Sequence, residues 1–164
     1  MDTPDKSALK PAVVDFRSTA FPQSLQTLAS DVSEKKGARV LLVGANEGDK
    51  HKAAETIARH FQRTLHTIDF GHVTSKYIGE TEKNLAKIFS GADPRTMVLL
   101  FDEADALFGK RTGVKDAHER FADPAMKYLL EQLATYTGVV VLATHNSERI
   151  QDLLRGIDTI VRFS

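Results

Sequence analysis

Three short, unbroken apolar runs constrain this chain more than any other feature. Val40-Leu41-Leu42-Val43, Met97-Val98-Leu99-Leu100-Phe101 and Val139-Val140-Val141-Leu142-Ala143 are strand-sized and carry no polar residue at alternate positions. A strand with one wet face alternates apolar and polar side chains, so these runs require burial on both faces. Helices on each side of a mostly parallel sheet provide that cover. The intervening segments supply them. Phe21, Leu25, Leu28 and Val32 recur at helical spacing, with Gly37 placed to end the helix. Ala53, Ala54, Ile57, Ala58 and Phe61 form a second stripe, and Glu80 to Phe89 is a third helical segment. Met126, Leu129, Leu130 and Leu133 form a fourth, with Asp123 placed to cap it and Pro124 at its first position. Leu65 to Phe70 and Thr159 to Phe163 complete the strands, and Ser147 is placed to cap a short helix through Leu154. The expectation is an α/β fold, a three-layer αβα sandwich with a five-stranded parallel sheet and its functional edge at the strands' carboxyl ends. Residues 1–20 lack any period and read as an N-terminal arm that packs loosely or extends, ahead of one domain over residues 21–164.

Composition narrows the partners. Lysine plus arginine balances aspartate plus glutamate at 22 each, so nothing demands nucleic acid or an anionic membrane. Without cysteine there is no disulfide, thiolate zinc site or cysteine nucleophile, and a reducing compartment is the economical inference. The start Met1-Asp2-Thr3-Pro4-Asp5 has no basic segment leading into an apolar one, so a cytoplasmic protein is expected.

The chemistry gathers at two strand exits. After the first apolar run, Gly44-Ala45-Asn46-Glu47-Gly48-Asp49-Lys50-His51 compares with the phosphate-binding pattern G-x-x-x-x-G-K-[ST]. Gly44, Gly48 and Lys50 remain to meet a phosphate, with Lys50 where an ammonium would reach the β- and γ-phosphates. Asp49 replaces the glycine beside that lysine, and His51 replaces the hydroxyl residue that would ligate Mg²⁺. Two like charges roughly 5 Å apart repel by about 3 kcal/mol at an effective dielectric of about 20, a cost of about a hundredfold in affinity. Glu47 adds a further acid. Weak or absent phosphate binding is expected, and the octet alone also reads as a plain strand-to-helix turn.

At the second exit, Asp102 and Glu103 stand at the carboxyl end of an apolar strand. The first carboxylate suits Mg²⁺ and its waters, and the second suits polarising an attacking water. An ordinary acidic strand exit is the alternative. Asp102-Glu103-Ala104-Asp105 also spells a helicase motif, against which stand the lack of a second RNA-gripping domain and the neutral charge. A further reading joins His51 to Asp102 or Glu103 as a metal site.

Ser75-Lys76-Tyr77-Ile78-Gly79-Glu80-Thr81-Glu82-Lys83-Asn84-Leu85, taken with both exits, closely resembles the AAA family of P-loop ATPases. Leu99 to Arg111 is similar to the same family, and with Val114 to Phe121 it resembles bacterial members associated with contractile injection systems. The resemblance implies ATP and Mg²⁺ as cofactors, with Asp102 on the metal. It implies Tyr77, Ile78 and Gly79 as a pore loop gripping a protein substrate inside a homo- or hetero-oligomeric ring. Glu103, Asn146 and Arg155 are the implied catalytic residues, Asn146 placing the attacking water and Arg155 reaching a neighbour's γ-phosphate. Helix capping is the alternative for Asn146 and a solvated surface position for Arg155. The resemblance runs from about residue 38 to 163, stopping where the family's small helical lid would begin, so a core without that lid is expected. Two functions follow: a weakened or inactive pseudo-ATPase serving protein assembly or remodelling, because Asp49 and His51 break the phosphate loop, or an active remodeller using Lys50, Asp102, Glu103 and Asn146.

Overall fold

The computed structural model describes residues 11–106, 124–145 and 156–163. In chain order the elements are β1 (Ala12–Asp15), α1 (Ala20–Ser33), β2 (Ala38–Val43), α2 (Glu47–His60), β3 (Thr64–Asp69), α3 (Phe70–Val73), α4 (Glu80–Gly91), β4 (Met97–Asp102), α5 (Pro124–Thr135), β5 (Val139–Thr144) and β6 (Thr159–Arg162). The strands form one sheet in the order β1-β6-β2-β5-β4-β3, and every pair is parallel.

The unbroken apolar runs occupy the centre. Along β2, Leu41 faces one core with Phe70, Leu85, Leu129 and Leu133, while Val40 and Leu42 face another with Leu25, Leu28, Ala53 and Ile57. Thus α1 and α2 cover one side of the sheet and α3, α4 and α5 the other. Each fully buried Leu, Ile or Phe is worth about 1.5–3 kcal/mol, so both layers of helix are held mainly by this stripe-to-sheet packing. Among the described residues, no helix is long and apolar enough to cross a membrane.

Two expectations need correction. The sheet has six strands, not five, because Ala12 to Asp15, placed in a loose arm by sequence, pair with Thr159 to Arg162. The strand is four residues long, sits at the sheet edge and stays mostly exposed, so its two β-branched residues, Val13 and Val14, are too few to set a period. It is anchored by Ala12 N–H donating to Asp158 O (3.1 Å), Phe16 N–H donating to Arg162 O (2.9 Å), and the Phe16 ring packing on Phe21 and Phe163. Phe70, read as the last residue of a strand, instead opens α3, where the Asp69 carboxylate accepts from Gly71 N–H at 2.8 Å. The helix expected from Pro124 begins there. Asp123 and the helix expected from Ser147 to Leu154 lie outside the described residues.

One buried charge was not legible. Arg39 lies inside β2 and caps the end of α5, its Nε donating to Leu133 O at 2.6 Å and its guanidinium to Ala134 O and Tyr136 O. Burial lowers its pKa, and Asp158 and then Asp31 oppose that shift.

Candidate functional site

The order β2-β5-β4 sets three strand exits side by side. Between them lies a cavity of ≈ 270 Å³, lined among others by Glu47, Lys50, Asp102, Glu103, Thr144 and His145.

The exit of β2 is tight. A Cβ on Gly44 would sit 2.8 Å from Phe163 Cβ and 3.0 Å from Phe163 O, so only glycine fits this approach to the end of the chain's last strand. Asn46 then caps α2, its Oδ1 accepting from Asp49 N–H at 3.0 Å, and Lys50 N–H donates to Asn46 O at 3.1 Å. Gly48, Asp49 and Lys50 are therefore residues of the first helical turn rather than of an open loop. A phosphate cradle needs free backbone N–H groups, and that of Asp49 is already used. Acids in a first turn are favourable to a helix, so Glu47 and Asp49 serve α2 while adding negative charge to the cavity's rim. The Asp49 carboxylate also meets the exposed Arg17 guanidinium at 3.4 Å.

Lys50 is 3% exposed. Burying an ammonium is costly unless its donors are matched, and here Glu47 Oε1 and Thr144 O accept from it at 3.2 Å, with His145 Nδ1 at the same distance and an acceptor in the tautomer whose proton is on Nε2. His145 Nδ1 also lies 3.3 Å from Glu47 Oε1.

The exit of β4 is built differently. Asp102 Oδ1 accepts from Glu103 N–H at 2.9 Å, and Glu103 itself has φ 56°, a left-handed conformation that disfavours side chains other than glycine's. The chain then turns back to the sheet, Ala104 N–H donating to Ala143 O at 2.9 Å. Asp105 accepts from Thr144 Oγ1 and, at 2.9 Å, from His145 N–H, so it ties the β4 exit to the β5 exit.

The structure therefore gathers Lys50, Asp102 and Glu103 around one cavity, with Gly44 and Gly48 in the turn beside it. It also brings in Thr144, His145 and Asp105, none of which the sequence marked as site residues. Asp105 was visible as part of an acidic tetrad, whereas its link to β5 depends on strand order. Arg17 gave no sequence signal, because it reaches Asp49 only once β1 joins the sheet. His51 stands apart, its exposed ring pairing with Glu55 at 3.2 Å one helical turn on. A metal site on His51 with Asp102 or Glu103 is not formed: among the described residues no group of three or more His, Asp or Glu is placed to hold an ion. Asn146 and Arg155 lie outside the described residues.

Tyr77 and Ile78 do not line this cavity. They project from the connection before α4, 63% and 105% exposed, and Gly79 takes φ 77° at the helix N-cap. The backbone beneath them is held firmly. Thr81 Oγ1 accepts from Ser75 N–H at 2.9 Å, Ser75 Oγ accepts from Tyr77 N–H at 3.1 Å, and Asn84 Nδ2 donates to Val73 O at 2.9 Å. Lys76 Nζ lies 5.6 Å from the Tyr77 ring centre, over its face.

Sequence comparison with known proteins gives the family. Residues 40–164 match the ATPase family associated with various cellular activities (AAA). The chain is 36% identical to the ATPase family gene 2 protein of Schizosaccharomyces pombe over 118 residues, 71% of this chain and 15% of that protein. It is 29% identical to the cell division cycle protein 48 homolog of Archaeoglobus fulgidus over 131 residues, 77% of this chain and 17% of that one. It is 27% identical over 108 residues to a Corynebacterium kroppenstedtii protein named as an AAA ATPase forming ring-shaped complexes, 62% of this chain and 19% of that protein. The chain thus spans less than a fifth of the length of each of these relatives.

Proposed function

Because the chain belongs to the ATPase family associated with various cellular activities, we propose that it keeps this family's core as a weakened or inactive pseudo-ATPase serving protein assembly or remodelling. The family implies nucleotide binding, usually with Mg²⁺. One observation carries the reading: the first turn of α2 has closed on itself, with Asp49 N–H taken by Asn46 and the Lys50 ammonium bonded to Glu47 and Thr144 beside His145. A triphosphate has to displace part of that arrangement and meet the carboxylates of Glu47 and Asp49 as well. His51, turned to Glu55, leaves no hydroxyl where Mg²⁺ would be held. The residues present do not fit Mg-ATP as they stand.

Support for an assembly role comes from the connection between α3 and α4. Two exposed apolar side chains, Tyr77 and Ile78, on a firmly bonded turn suit a contact with another polypeptide, in a homo- or hetero-oligomeric ring like the one the Corynebacterium relative's name describes. A cytoplasmic setting agrees with the absence of cysteine.

The active remodeller, with Lys50, Asp102, Glu103 and Asn146 as its machinery, is favoured by the strained backbone at Glu103. Calorimetric titration of Mg-ATP separates the two. The expected result is no binding below about 1 mM, a free energy weaker than about −4 kcal/mol. Micromolar binding with turnover that Glu103→Gln abolishes would establish the active enzyme instead.

A further inference from the structure

We propose that Glu47 is an affinity-determining residue of this cavity, an internal anion that holds the Lys50 ammonium in the place a nucleotide phosphate would take. This rests on reading the cavity as the nucleotide site. An ammonium has three N–H donors. In this fold three polar atoms stand 3.2 Å from it: Glu47 Oε1 and Thr144 O, which accept, and His145 Nδ1, which accepts in the tautomer whose proton is on Nε2. With these three atoms around it, an incoming phosphate oxygen has to displace one of them to approach Lys50.

The three differ in freedom to withdraw. Thr144 O belongs to the last residue of β5, and its neighbouring hydroxyl and the next backbone N–H are both held by Asp105. His145 starts from that same anchored backbone. Glu47 is the first residue of α2, half exposed, and the only anion of the three. It is the group whose withdrawal costs least, and the one whose charge, if it stays, repels a phosphate most strongly. A carboxylate close to an ammonium makes the charge-assisted pair that a phosphate oxygen would make. The alternative role, a helix-surface pair between positions three apart, would contribute to the stability of α2 and nothing to anion affinity.

The experiment is calorimetric titration of inorganic pyrophosphate with Mg²⁺ into the native chain, Glu47→Gln, and Glu47→Gln combined with Lys50→Met. The native and Glu47→Gln pair is measured again with Asp49→Gly in both partners, so that the second acid does not mask the effect. Glutamine keeps the size of the side chain, and thermal melts establish that each variant is folded. Removing one half-exposed charge close to the anion raises affinity by about tenfold, a value well below the dry-contact limit because water screens the site. The expected result is that gain in both backgrounds, and its loss when Lys50 is also replaced. Equal affinity in both backgrounds, undetectable binding throughout, or a gain that survives Lys50→Met overturns the proposal. The reading of a weakened nucleotide site is judged separately, by the native chain's absolute affinity: micromolar native binding sinks that reading whatever the ratio between variants.

Discussion

The exits of β2 and β4 lie one strand apart and are built on opposite terms. At β2 the chain relaxes into a capped helix within three residues of Gly44, and its polar groups find partners in Asn46 and Glu47 nearby and in Arg17 from the edge of the sheet. At β4 the backbone is held at a costly dihedral so that Glu103 follows Asp102 into the cavity. The difference teaches that the two motifs answer to different demands. Asn46 and Asp49 are good residues for starting a helix and poor ones for cradling a phosphate. A left-handed backbone stands at the acid of the β4 exit, whereas the β2 exit is a capped helix start.

The largest test of that contrast opens the β2 exit. Asp49→Gly with His51→Thr is expected to raise Mg-ATP affinity by about a hundredfold in calorimetry, the value of one removed like-charge contact. No gain would mean that charge at the loop does not limit affinity. Gly44→Ala drives a methyl group into Phe163 and is expected to lower the unfolding free energy by about 2 kcal/mol in urea denaturation, the usual cost of overpacking. A neutral outcome would show that the β2 exit is looser than its distances suggest. Asn46→Ala removes the cap of α2 and should cost about 1 kcal/mol in the same assay. The smallest effect has the opposite sign. Glu103→Gly relieves left-handed strain of roughly 1–2 kcal/mol and gives back part of it as unfolded-state entropy, leaving a gain of about 0.5 kcal/mol. A loss of stability there would remove strain from the comparison.

How much of the site was legible depended on whether its information is local. The unbroken runs announced strands buried on both faces, and the pattern around Lys50, the acids of β4 and the Tyr77-Ile78-Gly79 turn are each written in consecutive residues. The charge conflict at Asp49 was likewise readable, being a question of which side chain stands beside which. Its solution was not. That Asp49 meets Arg17, 32 positions away, and that Lys50 meets Thr144 O, 94 positions away, follows from β1 adding to the sheet edge and from β5 lying beside β2.

Residue order alone carried the layer architecture, the family and the departure of Asp49 and His51 from the phosphate-loop pattern, because helical and strand periods and short motifs are local properties of a chain. Only tertiary contacts set the sixth strand, the anchoring of His145 by Asp105, and the capture of the Lys50 ammonium by Glu47 and Thr144 beside His145. The physical reason is burial: an ammonium removed from water takes whatever acceptors the neighbouring strand exits present, and strand order, which no local pattern encodes, decides which exits those are.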